Sequence, residues 1–321
     1  MHSRDFLLRL YRQALLIRMA EDRICAEYSH DEMKTPAHLC VGAEGIHAGV
    51  LEALPKGTRV FGTYRSHGLY LGLTGDTDGF FAELYGKESG VSGGKAGSMH
   101  LCFPEKGLIL TSAVVATTLP VACGAAFANA YRGKNDWIAV FFGDGALEEG
   151  AFWETLNFAC LHKLKLFFVC EDNGLAIHTP AQDRRGFRSI LEVLKGFKCH
   201  GASADGYYPE TVYEAARGLL ENAEKEPAPV FLYAPYYRYS EHVGVLENYK
   251  AGYRPKPTEE ELQAMDPVKN LRKLAQSAGA VAQDFKAAEN EIREKIDRSV
   301  EKAKAAAFPG PEALLEDVTH E

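Results

Sequence analysis

Two short apolar runs flank a segment of helical spacing in the middle of the chain. The first run reads Ile-Ala-Val-Phe-Phe from Ile138, and the second reads Leu-Phe-Phe-Val-Cys from Leu166. Unbroken apolar runs of this length are typical of strands that are buried on both faces of a parallel sheet. The pattern therefore predicts a strand–helix–strand unit with a right-handed crossover.

The rest of the chain continues this pattern of helical and strand segments without an internal repeat or a low-complexity linker. The predicted elements are an amphipathic helix over 4–29, a helix with Pro120 in its first turn and Gly133 past its end, a helix from Pro209 to about Glu224, a strand from Val230 to Ala234, and a polar helical tail with an apolar stripe of Val281, Phe285, Ala288, Ile292 and Ile296. We therefore predict a single α/β domain over 1–321, a mostly parallel sheet flanked by helices, with its helical tail over about 257–321.

A short acidic motif follows the first central strand. Gly143 and Gly145 bracket Asp144, and Asn173 closes the second strand. Parallel strands end on the same side of a sheet, so Asp144 and Asn173 are expected on one edge. A helix predicted to open at Ala146 would attract an anion, which Asp144 would repel unless a cation lay between them. Helix capping and strand termination explain each residue singly, but the pair favours Mg²⁺, which binds carboxylate, amide and phosphate oxygens together.

The same stretch resembles a known cofactor signature. Gly-Asp-Gly followed by Asn173 is similar to the thiamine-diphosphate motif, and the sequence around both resembles the E1 α subunits of 2-oxoacid dehydrogenase complexes. The resemblance runs from about residue 10 to the C-terminus and implies a thiamine-diphosphate-binding domain that also holds Mg²⁺. It assigns the metal to Asp144, Asn173 and the carbonyl of Leu175, and cofactor contacts to Asp144, Gly145, Ala146 and Asn173.

Two further segments resemble family motifs around the diphosphate and the reacting carbons. Residues 63–68 are similar to Tyr-Arg-x-His-Gly, which implies that Tyr64 and Arg65 contact the diphosphate and that His67 is catalytic. The planar fork of arginine suits phosphate oxygens. Residues 237–242 are similar to Tyr-Arg-x-x-Gly-His, which implies that His242 contacts the cofactor and moves protons with His67. Val115 lies where the family presents an apolar side chain to the cofactor.

Two other stretches of the resemblance carry no firm role. Residues 38–45 are similar to the family's His-Leu-x-x-Gly-Gln-Glu-Ala, with Ala43 and Gly45 departing from it, and we expect Glu44 to be a buried structural carboxylate. The glycine-rich loop over 90–100 has neither P-loop nor dinucleotide-fold spacing. A tight structural loop and a direct cofactor contact both remain open for it.

Composition limits the partners and the compartment. The chain has 321 residues, 46% of them hydrophobic, and a net charge of −8, which argues against nucleic acid as the main partner. Seven cysteines without a CxxC pair fit reduced thiols. The start lacks a signal or transit pattern, and no apolar run reaches membrane-spanning length. We therefore expect a soluble cytoplasmic protein that does not associate with membranes.

The resemblance also implies a partner subunit. Family α subunits take the glutamate that activates thiamine diphosphate from a β subunit, and Glu148 and Glu149 are poorly placed for that role. We therefore expect an α₂β₂ heterotetramer that is inactive as the α chain alone. It would decarboxylate a 2-oxoacid, by default pyruvate, and pass the acyl group to a lipoyl-bearing acyltransferase or another acceptor.

Three alternatives remain open from the sequence. Glu241 replaces a family glycine beside His242, which leaves room for another two-chain thiamine-diphosphate enzyme, such as an acetoin dehydrogenase or a transketolase-like pair. A Mg²⁺-dependent nucleotide or phosphate-ester enzyme would use the same strand edge. A non-enzymatic assembly subunit would keep only the fold, and the intact Asp144 and Asn173 argue against it.

Overall fold

The computed structural model describes residues 2–316, except for the side chain of Ala251. The strands are β1 (Arg59–Thr63), β2 (Leu108–Ser112), β3 (Ile138–Gly143), β4 (Leu166–Asp172), β5 (Leu175–Ala176), β6 (Thr179–Pro180), β7 (His200–Ser203) and β8 (Val230–Pro235). The helices are α1 (Arg4–Tyr28), α2 (Glu44–Ala53), α3 (His67–Thr74), α4 (Thr77–Leu84), α5 (Thr118–Tyr131), α6 (Gly150–Leu161), α7 (Ile190–Leu194), α8 (Pro209–Lys225), α9 (Glu259–Ala264), α10 (Pro267–Ser277) and α11 (Ala282–Ala305).

Six strands form one parallel sheet in the order β2-β1-β3-β4-β8-β7. All seven residues of β4 are buried, as the apolar run predicts for a central strand covered on both faces. The short β5 and β6 pair antiparallel just beyond the end of β4. The predicted α/β fold with a mostly parallel sheet is confirmed.

Alternate residues along the central strands face two separate cores. On β3, Ala139 and Phe141 join a core with α1, α2, α3, α4, α8, α10 and α11, whereas Val140 and Phe142 join a second core with α5, α6 and α7. The period of two is what a sheet with helices on both faces requires. The sheet is thus held between two helical layers, and only its strand ends remain available for a site.

Most predicted elements are found, with two corrections. The helices predicted over 4–29 and from Pro209, and the strand from Val230, correspond to α1, α8 and β8. The helix predicted to open at Ala146 is wrong: residues 144–148 form a short 3₁₀ turn, and α6 begins at Gly150. In the tail stripe, Val281 is 58% exposed at the start of α11, while the other four residues are buried. The predicted tail over 317–321 lies outside the described residues.

None of the helices in residues 2–316 is both long and apolar enough to span a membrane. All seven cysteines are free, and four of them are buried.

Helices α2 and α8 pack through glycines, and this contact fixes the loop before α2. A Cβ atom on Gly49 would lie 2.5 Å from the carbonyl oxygen of Pro209 and 2.8 Å from Cβ of Val212. On Gly45 it would lie 2.1 Å from the carbonyl oxygen of Gly206. Only glycine permits this approach, so the two helices must separate if either residue grows.

We expect Gly49→Ala to lower the free energy of unfolding of the chain by about 1–3 kcal/mol, because the added methyl overpacks the contact between α2 and α8. The matched control is Gly218→Ala on α8, where a Cβ atom meets nothing within 4 Å. That control should be neutral or stabilise by up to about 1 kcal/mol through helix propensity. Urea denaturation checks both; equal effects of the two changes would contradict the packing argument.

Candidate functional site

A cavity of about 210 Å³ opens at the carboxyl edge of the sheet. Its walls come from the segments that follow β1, β2, β3, β4 and β8, on both sides of the point where the chain reverses its direction across the sheet. Ligand sites of doubly wound sheets lie at this place. The site residues predicted from the sequence that line it are Tyr64, Arg65, Val115, Asp144, Gly145, Ala146, Asn173, Leu175 and His242.

Three acceptor oxygens of residues that line the cavity are buried without a hydrogen-bond partner within residues 2–316. One is Oε1 of Glu171, which lies 2.7 Å from Nε2 of His47. The other two are Oδ1 of Asp144, a residue that is fully buried, and Oδ1 of Asn173, a residue that is 9% exposed. A buried acceptor left unsatisfied costs about 1–3 kcal/mol. Oxygen ligands of this kind are what a hard cation takes, so the pair fits the predicted magnesium ligands.

The other carboxylate oxygen of Asp144 is held by two arginines from the segment after β6. Oδ2 accepts hydrogen bonds from Arg184 Nη2 at 2.5 Å and from Arg185 Nη2 at 2.9 Å. Both arginines also pair with Glu148, and Arg185 lies 2.9 Å from a carboxylate oxygen of Asp172. Burial, followed by the charge of Asp172, raises the pKa of Asp144 to about 6, and the arginines oppose that rise. This clamp fixes the carboxylate with Oδ1 unpaired. It was not predictable from a local sequence pattern, because the partners are some forty residues apart in the chain.

Two buried guanidinium groups line the same cavity. Arg65 donates to the carbonyls of Leu39, at 2.6 Å, and His242, at 3.0 Å. Arg238 is 1% exposed and donates to the carbonyl of Ser240 at 3.1 Å. Among the described residues, neither arginine has a carboxylate within ion-pair distance. Burial and the neighbouring charge of Arg65 lower the pKa of Arg238, so this wall carries positive charge that an anion would neutralise.

A cluster of two histidines and a tyrosine lies beside these arginines. The ring of His38 is 4.6 Å from that of Tyr64 and 5.2 Å from that of His242, centroid to centroid. Nδ1 of both histidines is buried without a hydrogen-bond partner in the described chain. Burial first, then nearby Arg65, lowers the pKa of His38 to about 3 and that of His242 to about 4, so both rings are neutral at physiological pH. His38 was not predicted as a site residue, although it is the histidine of the family-like segment over 38–45.

His67 is not part of this cluster. It begins α3 facing the core, is fully buried, and does not line the cavity. Its Nδ1 lies 3.0 Å from Glu21 and its Nε2 lies 2.6 Å from Oγ of Ser98, so both ring nitrogens already have partners. The position of His67 therefore supports a structural role and gives no support to the predicted catalytic one.

Two other segments are structural as well. Glu44 is fully buried and accepts from Arg18 Nε at 2.6 Å and from the backbone N–H of Gly42 at 2.7 Å, as expected for a structural carboxylate.

The glycine-rich loop wraps the carboxylate of Glu83, which accepts from four backbone N–H groups. Those donors belong to Ser92, Gly94, Ala96 and Gly97. The loop does not line the cavity, so the structural alternative describes it.

Comparison with known proteins identifies the family that this site belongs to. A family model described as dehydrogenase E1 component matches residues 11–312. The chain belongs to the dehydrogenase E1 component family. The resemblance of the Gly-Asp-Gly and Tyr-Arg segments to E1 α subunits is thereby confirmed.

Relatives with two kinds of name match this E1 component chain. The α subunit of the acetoin:2,6-dichlorophenolindophenol oxidoreductase of Cupriavidus necator is 32% identical over 318 residues, covering 98% of this chain and 95% of the relative. The corresponding subunit from Bacillus subtilis is 30% identical, with 96% and 92% covered. The α subunit of the pyruvate dehydrogenase E1 component of Zymomonas mobilis is 31% identical, with 98% and 89% covered. The E1 component chain thus matches both groups over almost its whole length.

The depressed pKa of His38 predicts a pH-dependent contribution to stability. Below the unfolded pKa of about 6.5, unfolded His38 binds a proton that the folded ring, with a pKa of about 3, does not bind. His38 therefore contributes less stability as the pH falls through this window. We expect the stability difference between the parent and His38→Asn to shrink between about pH 7.5 and about pH 5, as measured by urea denaturation. A difference that stays constant or grows would contradict the assigned environment.

Proposed function

We propose that the chain is the α subunit of a thiamine-diphosphate- and Mg²⁺-dependent E1 enzyme that acts with a β subunit. The observation that carries this proposal is the opposition of charge across one cavity. Unpaired oxygens of Asp144 and Asn173 lie on one wall, and the buried guanidinium groups of Arg65 and Arg238 lie on another. A diphosphate bridged to a divalent cation satisfies both walls at once.

The residues present fit this group. Asp144 Oδ1 and Asn173 Oδ1 would bind the cation, and the carbonyl of Leu175, which also lines the cavity, would add a ligand. Tyr64, Arg65 and Arg238 would bind the diphosphate oxygens. Gly145 and Ala146, in the turn that follows β3, would contact the cofactor between the metal ligands and the diphosphate-binding residues.

When bound, thiamine diphosphate supplies the electron sink that allows the bond next to a carbonyl carbon to break. The chain contributes binding, orientation and proton transfer. The clamp from Arg184 and Arg185 holds Asp144 with one oxygen towards the cavity. His242 and His38, both neutral, can accept or donate a proton at a ring nitrogen. Val115 supplies an apolar surface at the cavity wall.

The carboxylates that line the cavity support a partner as the source of the activating acid. Asp144 is assigned to the metal, and Glu171 Oε1 lies 2.7 Å from Nε2 of the buried His47. Glu149 lines the cavity but is exposed at its rim. Of these three carboxylates, Asp144 is assigned to the metal, Glu171 lies within ion-pair distance of His47, and Glu149 is exposed, which agrees with a glutamate supplied by a β subunit.

An exposed apolar surface along α5 and α6 fits that partner. It is formed by Val121, Phe127 and Tyr131 on α5 and by Phe158 and Leu161 on α6, which are 39–85% exposed. The rings of Phe127 and Phe158 contact each other at 5.5 Å between centroids. Val115, which lines the cavity and is 45% exposed, lies just before α5 in the chain. Exposed apolar patches of this kind mark protein interfaces, and the relatives are named as α subunits, so we assign it to the β subunit.

Two substrate classes follow from the relatives. The names of the Cupriavidus necator and Bacillus subtilis proteins favour acetoin, and that of the Zymomonas mobilis protein favours pyruvate. With pyruvate, the acyl group would pass to a lipoyl-bearing acyltransferase. Steady-state assays of the assembled enzyme with both compounds and an artificial electron acceptor decide between them, since the specificity is set by the ratio of the two kcat/KM values.

We expect Asp144→Asn to weaken Mg²⁺-dependent binding of thiamine diphosphate to the assembled protein by at least about 100-fold, since removing residues that merely orient a metal ligand costs roughly 10–100-fold. The control is Glu149→Gln, which removes the same charge from the rim and should change the affinity by less than about threefold, because exposed charges are screened. Isothermal titration calorimetry provides both values. Equal losses in the two variants would mean that Asp144 acts through its charge alone and not as a ligand.

The assigned interface predicts a second effect. Replacing Phe158 and Leu161 with lysine should weaken association with the β subunit by about 30-fold, because central apolar contacts are worth about 2 kcal/mol. Val281→Lys, which replaces an apolar residue that is 58% exposed at the N-cap of α11, serves as the control and should leave assembly unchanged. Analytical ultracentrifugation of the mixed subunits measures both. Full assembly of the double variant would place the interface elsewhere.

A further inference from the structure

A second hollow of about 420 Å³ lies between the segment that follows β8 and helix α9. It shares no lining residue with the cavity at the sheet edge. Its lining combines the polar side chains of Arg254 and Tyr237 with the apolar side chains of Pro255, Pro257 and Met265. The hollow therefore combines hydrogen-bond donors with a wall that suits a small apolar group.

Two donors of this hollow have no acceptor within the described part of the chain. They are Nη1 of Arg254 and the hydroxyl of Tyr237, whose side chain is only 9% exposed. The guanidinium carbon of Arg254 lies 4.8 Å from the centre of the Tyr237 ring, so both donors belong to one place. Buried donors without acceptors are destabilising, and one oxyanion that contacts both would remove this cost.

The charges around the hollow also favour an anion. Arg254 and Lys256 line it, against one carboxylate, that of Glu261. Oε2 of Glu261 accepts from the N–H and the hydroxyl of Thr258, at 2.7 and 3.0 Å, in the cap of α9. No carboxylate of residues 2–316 lies within ion-pair distance of Arg254. The positive charge of Arg254 thus remains available to a ligand.

We propose that this hollow is a binding site for a small organic carboxylate. The carboxylate accepts hydrogen bonds from Arg254 Nη1 and from the hydroxyl of Tyr237, and its carbon chain packs against Pro255, Pro257 and Met265. The apolar wall favours this ligand over inorganic phosphate. Phosphate has the same oxyanion chemistry but no carbon chain to bury against that wall.

The same arginine connects the hollow to the cavity at the sheet edge. Nη2 of Arg254 donates to the carbonyl oxygen of Asn173 at 2.9 Å, and Asn173 carries one of the proposed metal ligands. A ligand bound to Nη1 therefore contacts the same guanidinium group that positions Asn173 through Nη2. Resting on the proposed function, we expect the carboxylate and the Mg²⁺–thiamine diphosphate pair to change each other's affinity by the same factor, as linkage requires.

Calorimetric titration of the assembled protein with butyrate and with inorganic phosphate tests the site, in the presence of saturating Mg²⁺ and thiamine diphosphate so that the first cavity is covered. Tyr237→Phe removes one hydroxyl and keeps the ring, and should weaken butyrate binding by about tenfold or more. Tyr249→Phe, outside the hollow, is the control and should have no effect. Butyrate should bind the parent more tightly than phosphate does.

Each other outcome is decisive. Equal butyrate affinity in the parent and Tyr237→Phe, or no butyrate binding at all, overturns the site, and tighter binding of phosphate overturns the carboxylate assignment. A second titration measures thiamine diphosphate affinity with and without butyrate. If the cofactor binds equally well in both, the coupling through Arg254 is wrong. If the cofactor does not bind at all, the proposed function fails, while loss of butyrate binding in Tyr237→Phe still supports the hollow.

Discussion

The structure depends on charges that its own side chains leave unbalanced inside one cavity. Asp144 and Asn173 each leave one oxygen there without a hydrogen bond, and Arg65 and Arg238 are buried there without a carboxylate among the described residues. Burying such groups opposes folding, because the two oxygens lose hydration without gaining a hydrogen bond from residues 2–316, and the two guanidinium charges lose it without a carboxylate partner there. The arrangement is therefore explained by a ligand that carries both a cation and an anion, and a Mg²⁺-bridged diphosphate has that composition.

The fold explains how these groups come together from distant parts of the chain. Parallel strands place every carboxyl end on one edge, and the strand order brings the ends of β1, β3, β4 and β8 next to each other. Asp144 and Asn173 follow adjacent strands, whereas Arg65 and Arg238 come from strands on either side of them. Two helical layers cover the faces of the sheet, so the edge is where polar groups can meet a ligand.

Sequence reasoning located the residues whose position follows from strand ends. Asp144 and Asn173 were predictable because buried apolar runs reveal where a strand stops, and a strand end in a parallel sheet has a known location. The surroundings of His67 could not be predicted, because a motif gives spacing along the chain but not the side of a helix that a residue faces. Helix α3 turns this ring into the core, so its catalytic role stays a prediction without support from its position. Arg184, Arg185 and Arg254 were not predictable as site residues. Their roles arise from side-chain contacts across many residues, which no local pattern encodes.

The central claim is that one cation joins Asp144 and Asn173 to a diphosphate. A crystal structure of the α/β protein with thiamine diphosphate and Mn²⁺, which replaces Mg²⁺ and is visible by anomalous scattering, tests it most directly. We predict an anomalous peak within about 2.0–2.3 Å of both Oδ1 atoms, the distance range of small hard cations, with the diphosphate beside Arg65 and Arg238. A peak elsewhere in the protein, or a cofactor bound away from these four residues, would contradict the account.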